Sequence, residues 1–215
     1  MYLSRVEIDT QKRASMMALA RPNLFHGAIE TAFADNRERK LWRIDWLGGK
    51  CYVLILSEAK PDLSSVANQF GLSPANWETK NYDVLLERIT SRSVWHFRLT
   101  ANPTYVKTDE FGQKTIHAHV TPKHQIQWLV NKMDKAGAAI KKLDISQEEY
   151  PVYNVSVTED RVVSFKKKGA RNVMFRMVTF EGVLTVTDPE TFRKTLKDGI
   201  GREKAYGNGL LTICS

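Results

Sequence analysis

The chain has 215 residues, room for one large domain or two of about 100 residues each, and 42% of it is apolar, which excludes a wholly disordered chain. Lys and Arg number 32 against 24 Asp and Glu, a net charge of +8. That excess points to a polyanionic partner, because clustered cations displace condensed counterions from phosphates. Cys51 and Cys214 lie far apart without metal-type spacing and fit free thiols in a reducing compartment. Arg5, Glu7 and Asp9 leave no secretory apolar core at the start, and the apolar run CYVLIL at 51–56 is far short of a membrane span. The expectation is a cytoplasmic protein with no membrane partner.

In chain order, Tyr2–Ile8 alternates apolar and polar residues and predicts a strand. Residues 24–34 predict a helix whose stripe is Phe25, Ala28, Ile29, Ala32 and Phe33. Strands follow at 41–46 and 51–57, joined through Gly48-Gly49, a hairpin signal. A helix is expected over 63–70 and a strand over 82–89. The order is β-α-β-β-α-β, a ferredoxin-like unit.

The second half reads the same way. Val94–Ala101 alternates Trp95, Phe97, Leu99 and Ala101 against His96, Arg98 and Thr100. Thr121-Pro122 opens a helix, with threonine as cap and proline in the first turn; Ile126, Leu129, Val130 and Met133 stripe it and Gly137 ends it. Strands are expected at 138–143, 151–157 and 173–186, a helix from Asp188-Pro189, and a last strand at 210–214. The fold class is α+β: two tandem ferredoxin-like (RRM-like) βαββαβ domains, residues 1–90 and 91–215.

Several residues carry chemistry. With Asn23 as cap, His26 falls in the first turn of its helix, where free N–H groups and the dipole favour a phosphate and an imidazole can exchange protons near neutrality. From position alone, a surface histidine beside a core stripe accounts for it as well. His117 and His119 share a strand face with His124 close behind, open either to a metal or to a solvated surface; no cysteine or well-spaced carboxylate completes a site. His96 and Arg98 are either surface groups or RNA contacts.

Residues 161–171 (RVVSFKKKGAR) hold five cations in eleven positions: Arg161, Lys166, Lys167, Lys168 and Arg171. Beside Gly169 they suggest a basic hairpin that reaches phosphates, with a solvated loop as the alternative. Lys107 is a further basic candidate. Near the C-terminus Gly199, Gly201, Gly207 and Gly209 bracket Arg202 and Lys204. Glycine lets a backbone approach a phosphate closely, which makes Arg202 and Lys204 RNA-binding candidates; the run is neither a dinucleotide fingerprint nor a P-loop, and a tight structural connection into the last strand is the alternative. There is no RRM signature run.

Taken together, MYLSRVEI, NLFHGAIETAF, FRLTANPTYVKT, FEGVLTV and GIGREKAYGNGLLTI run in order along the whole chain and resemble the CasE family, the CRISPR-RNA processing endoribonucleases of type I-E systems. The resemblance implies tandem ferredoxin-like domains and metal-independent cleavage of CRISPR repeat RNA at the base of its stem-loop, with no cofactor. It implies 2′-hydroxyl attack leaving a 2′,3′-cyclic phosphate and a 5′-hydroxyl, with retention in a Cascade complex. It assigns His26 as the catalytic histidine and 161–171 as the hairpin that engages the repeat duplex. Two positions depart from the family: a tyrosine three residues before the histidine is Asn23 here, and a lysine five residues after it is Thr31. The partner of His26 is then backbone donors alone or a cation such as Arg21 or Lys204. Other readings are a non-catalytic stem-loop RNA-binding subunit, a metal-dependent nuclease built on His117, His119 and His124, and, on fold analogy alone, a small-molecule enzyme.

Overall fold

The computed structural model describes residues 1–33, 40–143, 152–166 and 172–215. The first unit is β1 (Tyr2–Ile8), α1 (Arg13–Ala20), α2 (Asn23–Ala32), β2 (Leu41–Leu47), β3 (Lys50–Ser57), α3 (Ser64–Phe70) and β4 (Trp77–Asn81). Its antiparallel sheet has the order β2-β3-β1-β4, with the first strand placed between the third and fourth. Gly48 and Gly49 both take positive φ, as a two-residue hairpin with the twist of its strands requires. One sheet face supplies Val6, Trp42, Val53 and Ile55, which close with Phe25 and Ile29 of α2 and Phe70 of α3 into one core.

The other face of that sheet gives Leu41 and Leu56 to a second core, shared with the following half of the chain. After α4 (Asp83–Glu87), that half runs β5 (Val94–Ala101), β6 (Thr104–Thr108), β7 (Lys114–Ala118), α5 (Pro122–Lys135), β8 (Ala138–Ile140), β9 (Lys142–Leu143) and β10 (Val152–Tyr153). It ends with β11 (Val155–Lys166), β12 (Asn172–Val186), α6 (Pro189–Asp198) and β13 (Leu211–Cys214). The main path of its sheet is β11-β12-β5-β13, with β8 on β12. This repeats the first unit's order with β5, β11, β12 and β13 as its four strands, so the fold is a tandem ferredoxin-like one.

Several sequence expectations change. Residues 82–89 are not a strand: they contain α4, and the fourth strand is Trp77–Asn81 just before it. Leu86 and Ile89 are buried at a spacing of three, a helical interval. The helix α1 and the β6–β7 hairpin were not anticipated. The region 138–143 splits into β8 and β9, and 151–157 gives β10 and the start of a much longer β11. Helix α2 ends at Ala32, and Ala34 lies outside the described residues. Thr121 precedes α5 but its side chain caps nothing; its hydroxyl lies 3.0 Å from His124 Nδ1. Asp188, by contrast, accepts from the Glu190 and Thr191 amides and caps α6.

Arg43 joins the two units. It is 1% exposed, donates in two directions to the Asp45 carboxylate at 2.7 Å, and reaches the carbonyls of Arg98 at 2.9 Å and Leu210 at 2.8 Å. It also donates to the Thr212 hydroxyl at 2.8 Å. The carbonyls and hydroxyl belong to the second unit, so this fork fastens β2 across β5 and β13.

Candidate nucleic-acid interface

The seam between the units opens into a cavity of about 230 Å³. Its walls include Pro22 and Phe25 of the α1–α2 corner, Trp42 and Ile44 of β2, Arg161 of β11, Met177 of β12, and Tyr206 with Gly207 from the glycine-rich segment. That segment forms a short 3-10 turn (Lys204–Tyr206) packed on both α2 and β2. Gly207, at φ +83, lies so flat on the Trp42 ring that a Cβ would sit 3.0 Å from it. The loop also bonds to itself and to the sheet, Ile200 N–H donating to Gly209 O at 2.9 Å and Gly209 N–H to Thr100 O at 2.7 Å. Gly199, Gly201 and Gly209 share the positive φ. The glycines let a backbone close against Trp42 and β5, the structural explanation left open by the sequence.

His26 stands one helical turn beyond Pro22, on the same flank of α2, with its side chain 37% exposed. Its ring does not line the cavity itself. The expected cap is absent: Asn23 is the first helical residue, Pro22 precedes it in a helical conformation, and no side chain caps the end. The His26 N–H is spent on Pro22 O at 3.1 Å, because α1 leads into α2 at a tight corner. Free N–H groups at a helix start therefore do not distinguish this position. Its polar neighbour is Glu30, whose carboxylate lies 3.9 Å from His26 Nδ1 and 3.8 Å from the ammonium of Lys40. Lys40 is buried over the Phe33 ring. Sequence reasoning passed over both; the i,i+4 spacing of His26 and Glu30 was the available signal.

The other candidates separate. Asn23 and Thr31 line a shallow groove between α2 and α3, and the Thr31 hydroxyl bonds back to Gly27 O at 2.9 Å. Arg21 is exposed at the α1–α2 corner. Lys204 donates to Asp198 O at 2.6 Å and Gly199 O at 3.1 Å, a cation on the last carbonyls of α6, and Arg202 is exposed beside it. Arg98 is held by Glu181 at 2.8 Å and Asp45 at 3.6 Å, and His96 lines an open groove on the same sheet face. Lys107 is exposed on the β6–β7 hairpin.

The basic ribbon is described up to its last pair, Lys166↔Asn172; Lys167, Lys168 and Arg171 lie outside the described residues. From Asn172 to Met177, before it meets β5 at Val178, β12 pairs with β11 alone, so the ribbon projects from the sheet. Val163, Phe165, Phe175 and Met177 stiffen its base, and Tyr206 packs on it, stacked on Phe175 at 5.7 Å and edge-on to Phe165 at 5.1 Å. One tyrosine of the glycine-rich turn thus ties the ribbon to the wall of the cleft. Arg161 points into that cleft, paired with Glu159 at 2.8 Å.

His117 of β7, His119 just after it and His124 of α5 form a row of rings with Tyr105 of β6: Tyr105 lies 5.6 Å from His117 and 4.9 Å from His119, and His119 lies 5.9 Å from His124. Burial, with His124 alongside, holds His119 below the ordinary imidazole range. Among the described residues no three His, Cys, Asp or Glu side chains gather to hold a metal ion. Neither described cysteine is in a disulfide, and burial pushes the Cys51 thiol up to about 11, out of the range of a reactive thiolate. Among the described residues no helix is long and apolar enough to cross a membrane.

A tandem ferredoxin-like protein with a projecting basic ribbon and a glycine-rich turn set into the seam is the class that these features define. A family model described as CRISPR associated protein matches residues 1–214, and the chain belongs to that family. It is 28% identical over 228 residues to the CRISPR-associated endoribonuclease Cse3 of Thermus thermophilus, covering 99% of each chain. It is also 28% identical over 163 residues to the CRISPR system Cascade subunit CasE of Escherichia coli K12, covering 76% of this chain and 74% of that one. A solved structure of the CRISPR endoribonuclease Cse3 bound to a 19 nt RNA superposes with a TM-score of 0.80 at 26% identity, covering 100% of both chains.

Proposed function

We propose that this protein is a metal-independent endoribonuclease that cuts CRISPR repeat RNA at the base of its stem-loop and stays with the product in a Cascade complex. The observation that carries the proposal is His26 on the flank of α2, one turn from the cleft wall, in a chain matched end to end by its family model. The relatives support it by name: an endoribonuclease, another seen with RNA, and a Cascade subunit. Its partners are then the repeat RNA and other Cascade subunits, and its compartment is the cytoplasm. Residues 1–90 carry the histidine and 91–215 the ribbon.

In the reaction the 2′-hydroxyl attacks the adjacent phosphorus and loses its proton as the new O–P bond forms. The bond to the 5′-oxygen breaks and that oxygen takes up a proton, giving a 2′,3′-cyclic phosphate and a 5′-hydroxyl. His26 carries one of these two transfers. Glu30, at 3.9 Å from Nδ1, is its positioning residue and occupies the role that the missing tyrosine leaves open. The ribbon, with Lys166, Lys167, Lys168 and Arg171, holds the duplex through its phosphates. The test is His26→Ala on a labelled stem-loop: cleavage falls by roughly 10²–10⁴ while binding stays within a few-fold. An alanine variant that cuts at the wild-type rate removes His26 from the mechanism. A wild type that binds and never cuts identifies a non-catalytic RNA-binding subunit instead.

A further inference from the structure

Along α5, beside Thr104 and His119, lies an open groove of about 290 Å³ that the reaction above does not use. We propose that this groove binds an unpaired RNA strand adjoining the stem, with bases stacked on its rings and phosphates on its lysines. The proposal rests on the RNA-binding reading of the protein and adds a second contact surface to it.

Three observations carry it. The first is the row of rings: Tyr105, His119 and His124 follow one another at 4.9 and 5.9 Å, within the range at which aromatic rings stack or tilt onto one another. Of the three, His119 and His124 line the groove, and Tyr105 flanks it against His119, 44% exposed and open to a planar partner. The second is charge. Lys132 and Lys135 line the cavity, no carboxylate among the described residues does, and Lys132 already lies over the Trp128 ring at 5.8 Å. The third is the pair of amides on the same helix face, Gln127 and Asn131, bonded to each other at 3.0 Å and both on the cavity wall, where they can turn to a base edge. His119 is held below the ordinary imidazole range, so at neutral pH it presents an uncharged ring for stacking.

Rings interleaved with cations favour a single strand, because each base has a free face to offer and the backbone tracks the positive charge. A duplex keeps its bases stacked on one another and gives these rings nothing to cover.

The test compares two RNAs on the full-length protein: the bare stem-loop, and the same stem-loop with an unpaired extension of about eight nucleotides, within the span such grooves cover. The wild type binds the extended RNA more tightly, by roughly 5–150-fold for each base that stacks. Tyr105→Ala/His119→Ala binds the two RNAs equally and the bare stem as the wild type does. Lys132→Glu/Lys135→Glu, confined to exposed positions of α5, gives the same loss without touching the rings, so a folding defect in one variant leaves the other to decide. A wild type that does not prefer the extended RNA, or variants that keep the preference, overturns the proposal and leaves a solvated face or a protein-docking one. Failure to bind even the bare stem is a different result: it removes the RNA-binding reading itself.

Discussion

Arg43 is a charged side chain at 1% exposure, and its surroundings explain how that is tolerated. Desolvating a guanidinium costs several kcal/mol unless its donors are all taken up, and here Asp45, two backbone carbonyls and a hydroxyl take them. In the sequence, Arg43 and Asp45 alternate with apolar residues and read as the wet face of a strand. They are dry because a second sheet covers that face, which no local pattern announces. Arg43→Met leaves Asp45 buried with only Arg98 at 3.6 Å and removes the guanidinium donor from the carbonyls of Arg98 and Leu210. A loss of roughly 3–5 kcal/mol in unfolding free energy is expected, measured by urea denaturation; a change below about 1 kcal/mol, the scale of an exposed pair, shows that the fork does not bind the units together.

At the scale of elements, legibility followed burial. Strands β1 and β5 are legible with their observed ends because alternate positions are apolar and buried, Val6 and Ile8 in β1 and Trp95, Phe97, Leu99 and Ala101 in β5, and Gly48-Gly49 announces the β2–β3 turn through its φ requirement. Strand β4 (WETKN) offers only Trp77 as an apolar residue and stayed hidden. The apolar residues just after it, at 84–89, drew the strand assignment that belongs to β4. The β6–β7 hairpin is exposed along almost its whole length and so has no two-residue pattern to detect. The long ribbon was half legible: its cations stood out, while the cluster under its base needs Tyr206, about 40 residues away in sequence. The packed aromatics brace the described part of the ribbon, which carries Arg161 and Lys166. Replacing Lys166, Lys167 and Lys168 by alanine should weaken stem binding and flatten the dependence of log affinity on log salt by up to ~3 units, about one counterion per contact. Cleavage at saturating RNA should survive, since the ribbon positions the substrate and transfers no proton. Unchanged affinity and slope in a salt titration make the ribbon a solvated loop.

For the molecule as a whole, the pairing of two like units creates the cleft. Each ferredoxin-like unit covers one face of its sheet with its own helices; the cleft exists only where they meet, walled by α2 and β2 on one side and by β11, β12 and the glycine-rich turn on the other. His26 comes from the first unit and the ribbon from the second, so the order of residues along the chain hides their relation. The sequence also offered His26 for a reason the structure withdraws, a capped helix start with free N–H groups. What remains is an imidazole beside Glu30, one turn from the cleft wall. In the proposed reaction the chain supplies proton transfer and the RNA supplies its own nucleophile. The most direct measurement is cleavage of the repeat stem-loop in EDTA, with ribose or 2′-deoxyribose at the nucleotide 5′ to the scissile phosphate. Full cleavage of the ribose substrate in EDTA and none of the deoxy substrate is the predicted result; cutting of the deoxy substrate, or dependence on added Mg²⁺, contradicts the account and points to a water nucleophile.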